Sequence, residues 1–162
     1  MIRNIAVLLA LVLAVVLQTS VLPVHVSNAF KPDLLLVAMV FVALRGPVAQ
    51  GALLSWFLGL IKDVFSGLYL GLNAFSFLIV FLVIKNISDL LYAESGELFV
   101  VTVSAATLAS VTANLILLIM LTSTPGILYS MFAGLLPHLL ANAFAASLVA
   151  LLPVFSSPQE VQ

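Results

Sequence analysis

Apolar positions fill this chain in long unbroken runs, and the few charged residues mark where the runs end. Asn4–Phe30, Val64–Ile84 and Leu98–Gln159 contain no Asp, Glu, Lys or Arg. A bilayer core of about 30 Å takes roughly 20 mostly apolar residues per helix. The last run is too long for one crossing, and Thr122-Ser123-Thr124-Pro125-Gly126 breaks it with turn-forming residues. Between Pro32 and Lys62 lie two shorter runs, Leu34–Leu44 and Val48–Ile61, separated by Arg45-Gly46-Pro47. At 1.5 Å rise they reach only about 16 Å and 21 Å, so they are read as a tight hairpin of short helices. The pattern predicts six helices, at about 4–22, 33–45, 48–65, 69–86, 98–121 and 127–152. No period-two alternation is present, which argues against a β-barrel.

Composition sharpens this into an all-α membrane protein forming one integral membrane domain over 1–162. Of the 162 residues, 64% are hydrophobic and 7% charged, against about 25% charged in soluble domains. Mean hydropathy is +1.35. Five Lys+Arg, six Asp+Glu and two His cannot cover a water-soluble surface. The net charge of −1 leaves no basic surface for nucleic acid. The absence of Cys excludes disulfides and thiolate chemistry. Val24–Lys31 and Asn86–Glu97 are the longest polar candidates, and both are too short to fold alone. Met1–Ser20 has leader-like features, with Arg3, an apolar Ile5–Leu17 and small residues Ser27 and Ala29. The run continues to Leu22 and more spans follow, which favours an anchor over a cleaved leader. Lys/Arg placement predicts both termini on the cytoplasmic side, with Arg3, Arg45 and Lys85 inside and Lys31 and Lys62 outside. The acidic loop Asp89–Glu97 would then also be cytoplasmic.

Small and polar residues within the spans mark the faces on which helices meet, since lipid gives no hydrophobic drive for helix association. In the third helix Pro47, Gly51, Ser55, Gly59 and Asp63 recur every fourth residue, a stripe that winds by about 40° per step. Leu54, Trp56, Phe57 and Leu58 lie partly opposite. The first helix carries Ala6, Ala10 and Ala14 at the same spacing. The fifth carries Thr102, Ala106, Ser110 and Asn114, and the sixth Gly134, His138, Asn142 and Ala146. An unpaired amide or imidazole is costly in hydrocarbon, so these two stripes are predicted to face each other and hydrogen-bond. Asn114, His138 and Asn142 then either line a cavity or act as interhelical glue. Pro137 should kink the sixth helix. Asp33 suits the N-cap of the second helix. Lys62-Asp63 reads either as a functional charge pair or as an interfacial ion pair with Lys62 extended outward. Phe77, Phe81, Trp56 and Tyr69 read as packing and interface anchors.

Signatures of catalysis are missing. There is no Gly-Lys-Ser/Thr phosphate loop, no His-Glu-x-x-His and no Gly-x-Ser-x-Gly. The carboxylates are scattered at helix ends, and His25 and His138 lack Cys or acid neighbours for a metal. No enzyme activity, catalytic residue, metal or cofactor is expected.

Two segments resemble a known family. Pro32-Asp33-Leu34-Leu35-Leu36-Val37 resembles the Pro-Asp-Leu-Leu segment of the rod shape-determining MreD proteins. Gly59-Leu60-Ile61-Lys62-Asp63-Val64-Phe65-Ser66-Gly67-Leu68-Tyr69-Leu70-Gly71-Leu72-Asn73 is similar to that family's Gly-Leu-x-x-Asp-x-x-Ser-Gly-x-x-Leu-Gly-x-Asn core. Lys62 departs from the pattern, in which an uncharged residue is common. The resemblance implies a bacterial inner-membrane component of the elongasome, which builds lateral-wall peptidoglycan. It implies MreC, the actin-like MreB, RodA and a class B penicillin-binding protein as partners. It also implies a six-helix fold similar to the S components of energy-coupling-factor transporters. Gly51, Ser55, Gly59, Asp63, Ser66, Gly67 and Gly71 are the candidate partner-binding residues, with MreC as the expected partner and lipid as the surroundings. The alternative is a vitamin-binding S component, in which the Ala6-Ala10-Ala14 face docks a transport partner and Asn114, His138 and Asn142 bind ligand.

Overall fold

A computed structural model describes residues 2–27, 30–66, 69–88, 95–121 and 126–151, apart from the side chains of 2–8, 121 and 126–133. Ala29, Gly67, Thr122–Pro125 and most of the acidic loop (89–94) lie outside the described residues, as does the Ala6 side chain. The described residues fold as six helical rods without strands. The first rod is α1 (Ile2–Val16), a widened π-turn at Leu17–Val21, and a short α2 (Leu22–His25). The others are α3 (Leu34–Arg45), α4 (Val48–Ser66), α5 (Leu72–Ser88), α6 (Gly96–Leu121) and α7 (Gly126–Ala150). All six expected helices are present, within a few residues of their expected bounds. Val48–Ser66 and Gly96–Met120 are long and apolar enough to cross a membrane, and Leu9–His25, Leu34–Arg45, Leu72–Ser88 and Gly134–Ala150 are shorter apolar stretches among the fully described residues.

The shortest of the main rods, α3, lies at the centre. It packs on α1, α4, α5, α6 and α7, and Leu35, Leu36, Val37, Met39, Val40, Ala43 and Leu44 are all buried. Its 12 residues reach about 18 Å, well short of a bilayer core of about 30 Å. Non-helical backbone at membrane depth is tolerated only where protein encloses and satisfies it. Side chains from the surrounding helices meet that requirement at both ends of α3. At its C-terminal end Lys85 Nζ donates to Gly46 O at 3.0 Å.

Small residues let α4 and α5 approach closely. A Cβ at Gly59 would stand 2.5 Å from Ala74 Cα and 2.6 Å from Asn73 O, and one at Gly51 would stand 2.6 Å from the Phe81 ring. Both positions therefore need hydrogen as the side chain. The π-turn in the first rod has a local cause. Pro23 has no N–H to return to the preceding turn, and its ring crowds that turn. The widened backbone carries Gln18, whose Oε1 accepts from Leu34 N at 2.9 Å.

Candidate functional site

Two buried carboxylates, each capping a helix, organise the polar interior. Asp33 caps α3: its Oδ1 accepts from Leu36 N at 3.1 Å, as its place before a helical run predicts. Asp63 caps α5 from outside that helix. Oδ1 accepts from the backbone N and the side-chain Nδ2 of Asn73, each at 2.9 Å. Oδ2 accepts from Gly71 N at 2.9 Å and Ala74 N at 3.1 Å. Four donors thus close on one carboxylate at the start of a helix, where orphan N–H groups and the helix dipole both favour negative charge. Gly71 has φ +99°, a conformation that L side chains rarely adopt, which the chain needs to turn back into α5.

Around Asp33 the network draws on four helices. Asn142 Oδ1 accepts from Asp33 N at 2.6 Å. The other end of the same amide donates to Thr107 Oγ1 at 3.0 Å, and Thr107 donates on to Val103 O. His138 Nδ1 lies 3.1 Å from Lys31 O, and Gln18 covers Leu34 N. Lys62 Nζ forms the ion pair with the Asp33 carboxylate and sits 5.0 Å from the centre of the Phe77 ring.

That pairing corrects the sequence expectation for Lys62. Its partner is Asp33, on the preceding rod, rather than the adjacent Asp63, and it turns inward rather than extending away from the bundle. Neighbours in sequence on a helix point about 100° apart, so Lys62 and Asp63 serve different neighbours. The expected pairing of the fifth- and sixth-helix stripes is also corrected. Ser110 and Asn114 face α5: Ser76 Oγ donates to Ser110 O at 3.2 Å, and Asn114 Nδ2 donates to Asn73 Oδ1 at 3.1 Å. The α6 partner of Asn142 is Thr107, which lies off the predicted stripe. His138 meets the backbone before α3 rather than α6. Asn73 shares the family-like core segment with Asp63, its partner here, while the sequence carried no signal for Thr107 or Gln18 as network members, since each acts on a residue from another helix.

The small-residue stripe of α4 is used within the chain. Gly51, Ser55, Gly59 and Asp63 are buried, with Gly51 and Gly59 against α5. Ser66 is exposed at the end of α4, its Oγ donating to Asp63 O at 3.2 Å. Gly71 is half-buried. Beyond the carboxylate the chain presents apolar side chains outward: Val64 is 65% exposed, Phe65 64%, Tyr69 41% and Leu70 80%.

Hydrogen-bond direction propagates from Asp63. A carboxylate only accepts, so Asn73 must aim its NH₂ at Asp63, and its Oδ1 is left to accept from Asn114. Asn114 Oδ1 is then buried with no partner among the described residues. No cluster of metal-ligating side chains occurs among the described residues.

Residues 1–157 match the family described as rod shape-determining protein MreD. No curated protein and no solved structure matches the chain significantly.

Proposed function

The chain belongs to the rod shape-determining MreD family, a family of membrane proteins that act in cell shape, and on that premise we propose that it is a non-enzymatic scaffold of the elongasome. It sits in the bacterial inner membrane with both termini cytoplasmic and binds MreC. MreB, RodA and a class B penicillin-binding protein belong to the same assembly. The observation that carries this reading is the turn built on Asp63. Four N–H groups hold the carboxylate, and Val64, Phe65, Tyr69 and Leu70, described on either side of the turn, are exposed. Apolar side chains exposed together at the end of a helical hairpin suit a transmembrane or juxtamembrane segment of a partner.

In this reading Gly51, Ser55, Gly59, Asp63 and Gly71 contribute by seating α5 and shaping its start. Ser66, Phe65 and Leu70 make the contact. Site-specific photo-crosslinking in growing rod-shaped cells tests it. Probes at Phe65 and Leu70 are expected to capture MreC, while a probe at Leu148, exposed on α7, captures none. Equal capture at all three positions, or none at the turn, overturns the docking surface. Replacing the chromosomal copy with Phe65→Ser/Leu70→Ser is expected to turn rods into spheres while the protein remains in the membrane.

A further inference from the structure

The first rod is lightly held. None of its described side chains, residues 9–27, is buried. By contrast α3, α4 and α5 each bury several, and α6 and α7 bury Phe99, Val103, Ala145 and Ala146. Helix α4 packs on α5, α5 on α6 and α6 on α7, and all four pack on α3. Outside itself, the first rod makes its substantial contacts with α3 alone. Leu11 and Val15 pack half-buried against the core, while Leu9, Val12, Leu13 and Val16 are exposed. Lipid gives no hydrophobic drive for helix association, so a rod that buries so little is held weakly. On α3 the half-buried positions Leu34, Ala38, Phe41 and Val42 fall on one side of the helix, the side that the other four helices leave to the first rod.

One polar contact fastens it. Gln18 Oε1 accepts from Leu34 N at 2.9 Å, an N–H in the first turn of α3 that has no partner within that helix. Gln18 stands at the α1 end of the π-turn, so it moves with α1, and π-turns are recurrent sites of helix bending. We propose that α1 is a strap, hinged at Leu17–Val21, that closes over one side of the central helix and is latched by Gln18. In the closed form the Gln18 amide satisfies Leu34 N. Swinging the strap away withdraws Gln18 and strands that N–H beside the buried Asp33, which keeps the strap shut. The open form bares Leu34, Ala38 and Phe41 on the helix against which every other rod packs.

The test uses the full chain in lipid nanodiscs. The sequence has no Cys, so Leu9→Cys on α1 and Leu53→Cys on α4, both exposed, take a pair of nitroxide labels whose separation is read by pulsed electron spin resonance. The parent is expected to give one dominant, narrow distance. Gln18→Met keeps most of the side chain's bulk and removes the acceptor oxygen, and it is expected to add a second, displaced population. A control pair, Leu53→Cys with Leu108→Cys, joins exposed sites on α4 and α6 and is expected to stay narrow in both backgrounds. A Gln18→Met distribution that matches the parent's overturns the proposal. So does a parent that is already broad, or a control pair that broadens equally. Should Gln18→Met fail to insert, Leu11→Ala/Val15→Ala weakens the apolar hold instead and is read against the same control. A second population there supports the strap, and an unchanged distance overturns it.

Discussion

Asp63 on α4 and Asn73 on α5 are joined twice, the backbone and the side-chain amide of Asn73 both donating to the same carboxylate oxygen at 2.9 Å. With Gly71 N and Ala74 N on the other oxygen, this contact sets where α5 begins and how the turn before it is shaped.

Asp63→Asn keeps the size of the side chain but replaces an acceptor oxygen with an NH₂ group facing N–H donors. Leaving buried donors unsatisfied costs about 1–3 kcal/mol each. Thermal unfolding in detergent should show a Tm lowered by several degrees, and MreC co-purification should fall with it. An unchanged Tm would mean that the cap does not hold the turn.

Gly59→Ala is expected to be far more damaging than its size suggests. The added carbon meets the α5 backbone at 2.5–2.7 Å, and backbone cannot step aside as a flexible side chain does. Gly134→Ala is the contrast, since nothing lies within 4 Å of its Cβ position. It should be neutral or stabilising by up to about 1 kcal/mol, the helix-propensity difference between the two residues. The two unfolding curves, measured side by side, check the assignment.

Lys62 and Asp33 should show strong coupling in a double-mutant cycle. Stranding a buried charge costs about 3–5 kcal/mol, and of the two it is Asp33 that is fully buried, while Lys62 is partly exposed. Lys62→Met should destabilise strongly and Asp33→Asn less, and the double variant should lose clearly less than their sum. Additive losses would mean that the two groups act separately.

Asn142 bridges the α3 entry and α6, accepting from Asp33 N and donating to Thr107. Asn142→Leu should cost more than Thr107→Val. The first leaves a buried backbone N–H without a partner, while the second removes one hydroxyl that the amide can partly replace by a new contact. Proteolysis rates of the two variants in micelles, read against the parent, give the order.

Much of the fold was legible along the chain. Charge gaps delimit the helices, Arg45-Gly46-Pro47 separates α3 from α4, and the residue type and position of Asp33 announce its cap. The stripe of Gly51, Ser55 and Gly59 was legible as a close-packing face, although its partner was not, because small-residue spacing carries no label for the helix it meets. The corrected pairings share one cause. Asn114, Asn142 and Lys62 each occur on an apolar helix that has neighbours on several sides, so periodicity gives the face but not which helix covers it.

The sequence by itself determined the solvent, the number of helices, their ends and the family, because each of these follows from local composition, spacing and motif. The tertiary structure alone decided that the short α3 is the central helix, and that Lys62 answers Asp33 while Asp63 answers the start of α5. The physical reason is burial. The backbone entering α3 is enclosed by protein, Asp33 being buried, and only side chains brought from distant parts of the chain can satisfy it.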